Sequence, residues 1–358
     1  MKTYIKFLIQ TFLKSFFYVF LIILSLVFIL NILSEIEFFR EIEIEPLFPL
    51  YLSLLNSPSL IFEMFPFIFL ISSQLFFINL FNDNQMQIFK YSGLKNSIIV
   101  RTISLLSFAI GLIIIFIFYN FSKNFKNFYL ELKSKYSSDD KYLAVITKNG
   151  LWIKDKQKNG TVIINAAKIE NQYLIDSSIT QFDKNFQITK NIIADTVNIT
   201  QKEWILFNAI VTELNNSSIK NKRIRFKTNF DLERISNLFS DLTSLTYFDL
   251  LALEEDYKAI GYSTSEINIQ KHRFYSLPFL LSAMTIIAMI IMIYNKFKKK
   301  ILLNLFIGIL FSVLVYYLGN FSNLLGENGK LPLIFSVWLP VFMLLSLSFI
   351  GVIRLNEK

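Results

Sequence analysis

The stretch SFFYVFLIILSLVFILNILS, residues 15–34, decides the architecture. It carries no charged residue, and its length matches the roughly 20 residues an α-helix needs to cross a hydrocarbon core. It is longer than the roughly 7–15 apolar residues of a cleaved signal, and no small-x-small cleavage site follows it. It therefore reads as a span that stays in the protein. Five more stretches of the same character lie at residues 64–81, 102–122, 274–295, 301–326 and 331–353. Composition agrees: 53% of the residues are hydrophobic, 39 are Phe, and only 18% are charged. Soluble proteins carry roughly 25% charged residues.

Charges around the spans set an orientation. Lys2, Lys6 and Lys14 precede the first span, whereas the next connection carries Glu35, Glu37, Glu41, Glu43, Glu45 and Glu63 against Arg40. Lys90, Lys95 and Arg101 follow the second span, Lys296, Lys298, Lys299 and Lys300 follow the fourth, and Arg354 and Lys358 close the chain. Basic residues thus gather on alternate connections. By the positive-inside rule this puts both termini in the cytoplasm and residues 123–273 outside. The net charge of +9 is mostly this topological charge. A phosphate-binding patch is not needed to explain it, and no nucleic-acid partner is expected.

Residues 123–273 have ordinary soluble composition. Short alternating runs at 142–147, 151–154, 161–167, 173–179, 187–193, 204–213 and 223–227 read as strands, with Asn149-Gly150 and Asn159-Gly160 as hairpin turns. Such a set forms a sandwich, jelly roll or barrel. Residues 231–260 have a helical period and lead back to the membrane. Alternation places Tyr173, Ile175 and Ser177 on one face. Ile175 and Ile188 are the candidates for an apolar interior that carries acyl chains, with a bulge expected near Asn191.

Little else carries chemistry. Without cysteine there are no disulfides, thiol nucleophiles or Cys-ligated metals, and a single histidine, His272, removes multi-His sites and a Ser-His-Asp triad. Gly326-Glu327-Asn328-Gly329-Lys330 lacks the spacer and the Ser/Thr of a phosphate loop and reads as a turn. His272 stands between Lys271 and Arg273 as an interfacial anchor. Lys14, Glu63 and Arg101 sit at span ends, so an ion-coupled carrier is disfavoured. No metal or cofactor of the chain's own is expected, and with no nucleotide site any active transport must be powered by a partner. One segment suits docking to such a partner: residues 82–95, NDNQMQIFKYSGLK, with an apolar face of Ile88, Phe89, Tyr91 and Leu94.

Three spans, an outer β domain and three spans resemble the LptF/LptG permease family of lipopolysaccharide exporters, and motifs carry the resemblance. QMQIFKYSGLKNSII, residues 85–99, is similar to the family's coupling helix, with Lys90 where an Arg is expected, Gly93 at the Gly, and Gln85 replacing the usual Glu. Pro66 resembles the proline entering the second span. GLWIKD (150–155) resembles the start of the LptG β domain, and LGENGKLPLIFSVWLP (325–340) the LptG-like final loop. FDLLALEEDYKAIGYSTSEINIQKHRFYSLPFLL (248–281) is similar to the connection into the fourth span.

The resemblance implies an α-helical membrane protein with six transmembrane helices, three and three, around an inserted periplasmic β-jellyroll-like domain. Residues 1–122 would hold the first three spans, with the coupling segment at about 82–95; residues 123–273 the β domain and its helical connection; residues 274–358 the last three spans. It further implies a bacterial inner-membrane permease, most like LptG. Such a permease pairs with an LptF-like subunit on an LptB-like ATPase dimer and passes lipopolysaccharide to an LptC- and LptA-like bridge. Gln85, Ile88, Phe89, Lys90 and Gly93 would couple to the ATPase. An acylated lipid would enter between the first and fifth spans. Arg40, Lys123, Lys126, Lys271 and Arg273 are candidates, by location, to meet its phosphates; the lysine that some members use near the outer end of the first span is here Asn31. The alternatives are another ABC-type permease for lipoprotein or efflux, and a membrane-anchored receptor or scaffold that binds a partner through its β domain.

Overall fold

In the computed structural model, the residues described are all but 1–2, 43, 135, 137–143, 148–149, 158–159, 171, 184–185, 214–217, 233–234, 236–241, 243–244, 260–262, 295–300 and 357–358. The chain divides into two compact units, one of Met1–Lys133 with Asn268–Lys358 and one of Ser134–Ile267.

The first unit holds six helices long and apolar enough to cross a membrane. They are α1 (Thr3–Phe38), α2 (Phe48–Asn82), the rod formed by α4 (Asn96–Ile113), a π-helical turn (Ile114–Phe118) and α5 (Tyr119–Ser134), and then α7 (Ser265–Tyr294), α8 (Ile301–Glu327) and α9 (Leu333–Asn356). A short helix, α3 (Gln85–Tyr91), joins α2 to α4. In the most apolar windows, 61% of α2 and 67% of α7 is buried, against 22% of α1 and of α8. So α2 and α7 form the centre, and the others leave wide apolar faces outward. The centre is aromatic: Phe12, Phe65, Phe69, Phe76 and Phe77 are fully buried in one cluster.

Three of these helices outrun a bilayer. At 1.5 Å per residue, α1, with 36 residues, is about 54 Å long against a core of about 30 Å. The second span begins at Phe48 rather than near Met64, and the third continues past Lys123, where composition places the start of the soluble domain, to Ser134. The projecting ends have a core of their own, built from Phe39, Leu52, Leu55 and Tyr129. At the far end of α8 the GENGK segment is a tight turn: Gly329 sits at φ +68°, and the Lys330 amide donates to the Leu325 carbonyl at 2.9 Å.

In the second unit, β1 (Ala144–Thr147), β2 (Gly150–Gln157), β3 (Gly160–Glu170), β4 (Tyr173–Phe182), β5 (Ile188–Asn198), β6 (Glu203–Glu213) and β7 (Ser218–Lys227) form one antiparallel sheet. Each strand pairs with its neighbours in sequence, so the order is a meander; among the described residues no Greek-key crossover of a formal jelly roll occurs. Asn149 and Asn159 of the expected turns lie outside the described residues. Gly150 (φ +105°) and Gly160 (φ +153°) admit no side chain, because a Cβ there would strike the carbonyl oxygens of Ala166 and Phe182. The final helix, α6 (Tyr247–Ala259), opens on a capping box: the Asp249 amide donates to Thr246 Oγ1 and the Thr246 amide to Asp249 Oδ2, both at 3.0 Å.

A line of irregularity crosses the sheet and shapes its interior. Regular pairing breaks at Ala167, Asp176, Asp195 and Asn208, on four consecutive strands. Asp176 and Asn208 lie at φ +50° and +51°, a left-handed conformation that Asp and Asn tolerate better than most residues. At each break the buried positions skip a residue: Ala166 to Ile169, Leu174 to Ser177, Ala194 to Val197, Leu206 to Ala209. Beside the line the interior holds only small side chains, Ala166, Ser177, Ala194 and Ala209, while Ile164, Ile179, Ile192, Leu174, Val197 and Leu206 fill it to either side. We read this as a bend that lets one sheet enclose a core.

The roll is pinned where β2 meets the residues after β7. Asp155 on β2, 1% exposed, accepts hydrogen bonds from Thr228 Oγ1 (2.8 Å), the Asn229 amide (3.2 Å) and Asn229 Nδ2 (2.7 Å), just beyond β7. Gln157 Nε2 adds a bond to the Lys227 carbonyl at 3.0 Å. Strands five apart in the sheet are thus joined at one end.

The bend corrects the interior expected from alternation. Leu174 and Ile179, not Ile175, face the core, since the left-handed backbone at Asp176 switches the parity of β4. Ile188, 53% exposed, lies outside; on β5 the inward positions are Ile192, Ala194 and Val197.

Candidate functional site

The coupling segment is shorter than its sequence suggests. Helix α3 covers Gln85–Tyr91 and ends in a Schellman turn: the Leu94 amide donates to the Phe89 carbonyl at 2.9 Å across Gly93, which sits at φ +76°. Its apolar residues split between two faces. Met86 is buried, and Phe89 and Leu94 pack on the bundle core, with the Phe89 ring 6.0 Å from Phe7 of α1. Ile88, at 58% exposure, and Tyr91, at 88%, point away. Phe89 is thus an anchor of the segment, and the residues free to meet a partner are Ile88 and Tyr91. Gln85 donates to Asp83 Oδ2 at 3.4 Å, and the Lys90 side chain lies outside the described residues.

The five cations proposed for lipid phosphate lie on several elements. Arg40 is exposed in the turn after α1. Lys123 is half-buried on α5, and Lys126 donates to Asn56 Oδ1 at 3.0 Å. On α7, Lys271 Nζ lies 3.5 Å from Asn268 Oδ1, and Arg273 donates to Gln270 Oε1 at 3.3 Å. Lys126 belongs to a polar ladder unsuspected from sequence: Asn56 Nδ2 donates to Asn31 Oδ1 (3.1 Å), and Asn31 Nδ2 donates to the Ser53 carbonyl (3.2 Å). One turn along α1, Glu35 is 1% exposed and accepts from Tyr129 Oη (2.8 Å) and from Lys133 Nζ at both oxygens (3.0 and 2.8 Å). Lys133 also lies over the Phe38 ring, 4.2 Å from its centroid. Removing one partner of such a buried pair costs about 3 kcal/mol or more, so this ladder clamps α1 and α2 to α5.

A cavity of about 340 Å³ opens inside the first unit between α2, α7, α8 and α9. Its walls are apolar, with Pro66, Leu277, Val315 and Val341 among them. Polar groups gather at the end where α7 begins: Glu63, Gln270, Arg273, Asn320 and Asn323. Phe62 and Phe274, the neighbours of Glu63 and Arg273, pack with their ring centroids 6.3 Å apart. Deeper, Ser312 is 4% exposed, and its Oγ has no hydrogen-bond partner among the described residues. Arg273 is the one expected phosphate ligand that lines this cavity.

Residues 6–354 match the family described as lipopolysaccharide export system permease LptF/LptG. The chain belongs to the LptF/LptG family. A search of curated proteins finds no match. As an LptF/LptG permease it is a transporter component in the system that exports lipopolysaccharide, and a multi-pass inner-membrane protein. The family match also accounts for the two-unit arrangement, six apolar helices with a β-sheet inserted after the third. The residues that sequence reasoning missed in this LptF/LptG chain, Asn56, Tyr129, Lys133 and Ser312, carry no local signal. Their roles come from partners on other helices.

Proposed function

We propose that this chain is the LptG-like permease subunit of an ABC-type lipopolysaccharide exporter. It would pair with an LptF-like subunit on an LptB-like ATPase dimer that supplies ATP and Mg chemistry, and hand its cargo to an LptC- and LptA-like bridge. The observation that carries this is the placement of α3. The helix exposes Ile88 and Tyr91 at one end of a bundle whose sequence has no nucleotide motif. It leads directly into α4, and one rod from Asn96 to Lys133 runs on to the inserted domain. A push at α3 would reach that domain through a single helix. GLWIKD and the GENGKLP loop support the LptG branch, and the alternating charges support a cytoplasmic α3.

The curved sheet supports acyl passage by a different lining from Ile175 and Ile188. Leu174, Ile179 and Ile192 face its interior, and the Asp155 end is pinned. Affinity purification from native membranes tests this reading. Mass spectrometry is expected to find an ATPase, a second permease and lipopolysaccharide. In spheroplasts, Thr200→Cys should react with an impermeant thiol reagent and Gln87→Cys should not. A periplasmic protein without an ATPase, or the reverse labelling, would point to a receptor or remove the coupling.

A further inference from the structure

The cavity between α2, α7, α8 and α9 has dimensions that identify an occupant. From Asn323 to Ser312 it follows α8 for about 16 Å at 1.5 Å per residue, which is half the roughly 30 Å hydrocarbon core. That is the depth of one leaflet. At about 340 Å³ it lies at the small end of ligand sites, room for one chain and not for a lipid with many. Its wall includes Gly319, where an added Cβ would meet nothing within 4 Å, so the helix surface there is an open groove. Polar groups at the rim come in both signs: Arg273 and Glu63 both line the cavity, with Gln270 and Asn320. Ser312, buried and unpartnered among the described residues, marks the deep end.

We propose that this cavity binds one acyl chain of a zwitterionic glycerophospholipid, with its phosphate at Arg273 and its amine at Glu63. A guanidinium and a carboxylate lining the same cavity complement a phosphoethanolamine head, whereas a head with only negative charge would meet repulsion from Glu63. The bound chain would fill the space beside the second half of α8. The first half of that helix is held on α2, where Gln74 Nε2 donates to the Asn304 carbonyl at 2.8 Å and its side chain abuts Gly308. The lipid then acts as a wedge that sets the angle of α8 against α2. This inference requires the six membrane helices and does not depend on the export reading.

The test uses the full chain, with whatever subunits co-purify, in nanodiscs containing phosphatidylethanolamine with a diazirine at mid-chain. Photolysis should place adducts on the α8 and α9 residues lining the cavity. Gly319→Leu, whose Cβ would meet nothing within 4 Å, should fill the groove and cut these adducts at least tenfold while the thermal melting curve stays unchanged. Arg273→Gln and Glu63→Gln should each lower them several-fold, and an equivalent phosphatidylglycerol probe should label weakly. Equal labelling by both probes, or adducts spread over the lipid-facing residues Phe306 and Leu310 and indifferent to Gly319→Leu, would overturn the proposal. Full displacement of the probe by added lipopolysaccharide would overturn it too, by making the cavity part of the export path. Loss of export with intact labelling would contradict only the export reading.

Discussion

Ile88→Asp is expected to abolish coupling to the ATPase. An aspartate at this exposed apolar position leaves the permease fold alone, because Ile88 makes no contribution to the bundle core. In a closed interface it would leave a desolvated, unpaired charge, at about 3 kcal/mol or more, which is a loss of over a hundredfold in affinity. Tyr91→Ala should weaken the same contact. Phe89→Ala is the informative contrast: its ring packs on Phe7, so it should lower thermal stability as well as coupling. The measurement is ATPase co-purification and lipid-stimulated ATP turnover beside a melting curve. Full co-purification and stimulation by Ile88→Asp would remove α3 from the transmission path.

Asp155→Ala is expected to spring the rolled sheet. It strands Thr228 Oγ1, which is buried, and removes the carboxylate that the Asn229 amide and Nδ2 bond. Each bond lost to a charged acceptor costs about 1.5–3 kcal/mol, and the exposed Asn229 regains water, so a loss of about 3 kcal/mol in the inserted unit follows. Asp155→Asn keeps an acceptor and should lose less. Hydrogen exchange reads the effect locally: amides of β2 and β7 should exchange about a hundredfold faster in Asp155→Ala, with the membrane helices unaffected. Unchanged exchange in β7 would mean that the apolar interior alone closes the sheet.

The spans are legible in the sequence because an uncharged apolar run of bilayer length is too costly to leave in water and too long for most soluble cores. Their ends are not. Beyond the bilayer, α5 carries lysines and reads as soluble, yet Phe125 and Tyr129 join a core with Leu52 and Leu55. Glu35 reads as a loop acid, and Lys133 and Tyr129, far along the chain, make its burial tolerable. The strands are legible from alternation, but the faces of β4 are not, since the left-handed backbone at Asp176 reverses which side chains turn inward. The same limit applies to α3. Its seven residues are apolar on both sides, and the face that meets the bundle is chosen by Phe7 on another helix. Ser312 and Gly319 pass for ordinary span residues until four helices assemble around them.

The most direct measurement is lipopolysaccharide movement itself. The chain, its partner permease and the ATPase are placed in proteoliposomes containing lipopolysaccharide, and transfer to a soluble periplasmic-bridge acceptor is followed with and without ATP. Transfer that requires ATP, carries lipopolysaccharide and not phospholipid, and fails in Ile88→Asp is the expected result. Transfer that proceeds equally without ATP, or ATP turnover that moves no lipopolysaccharide, would contradict the export reading.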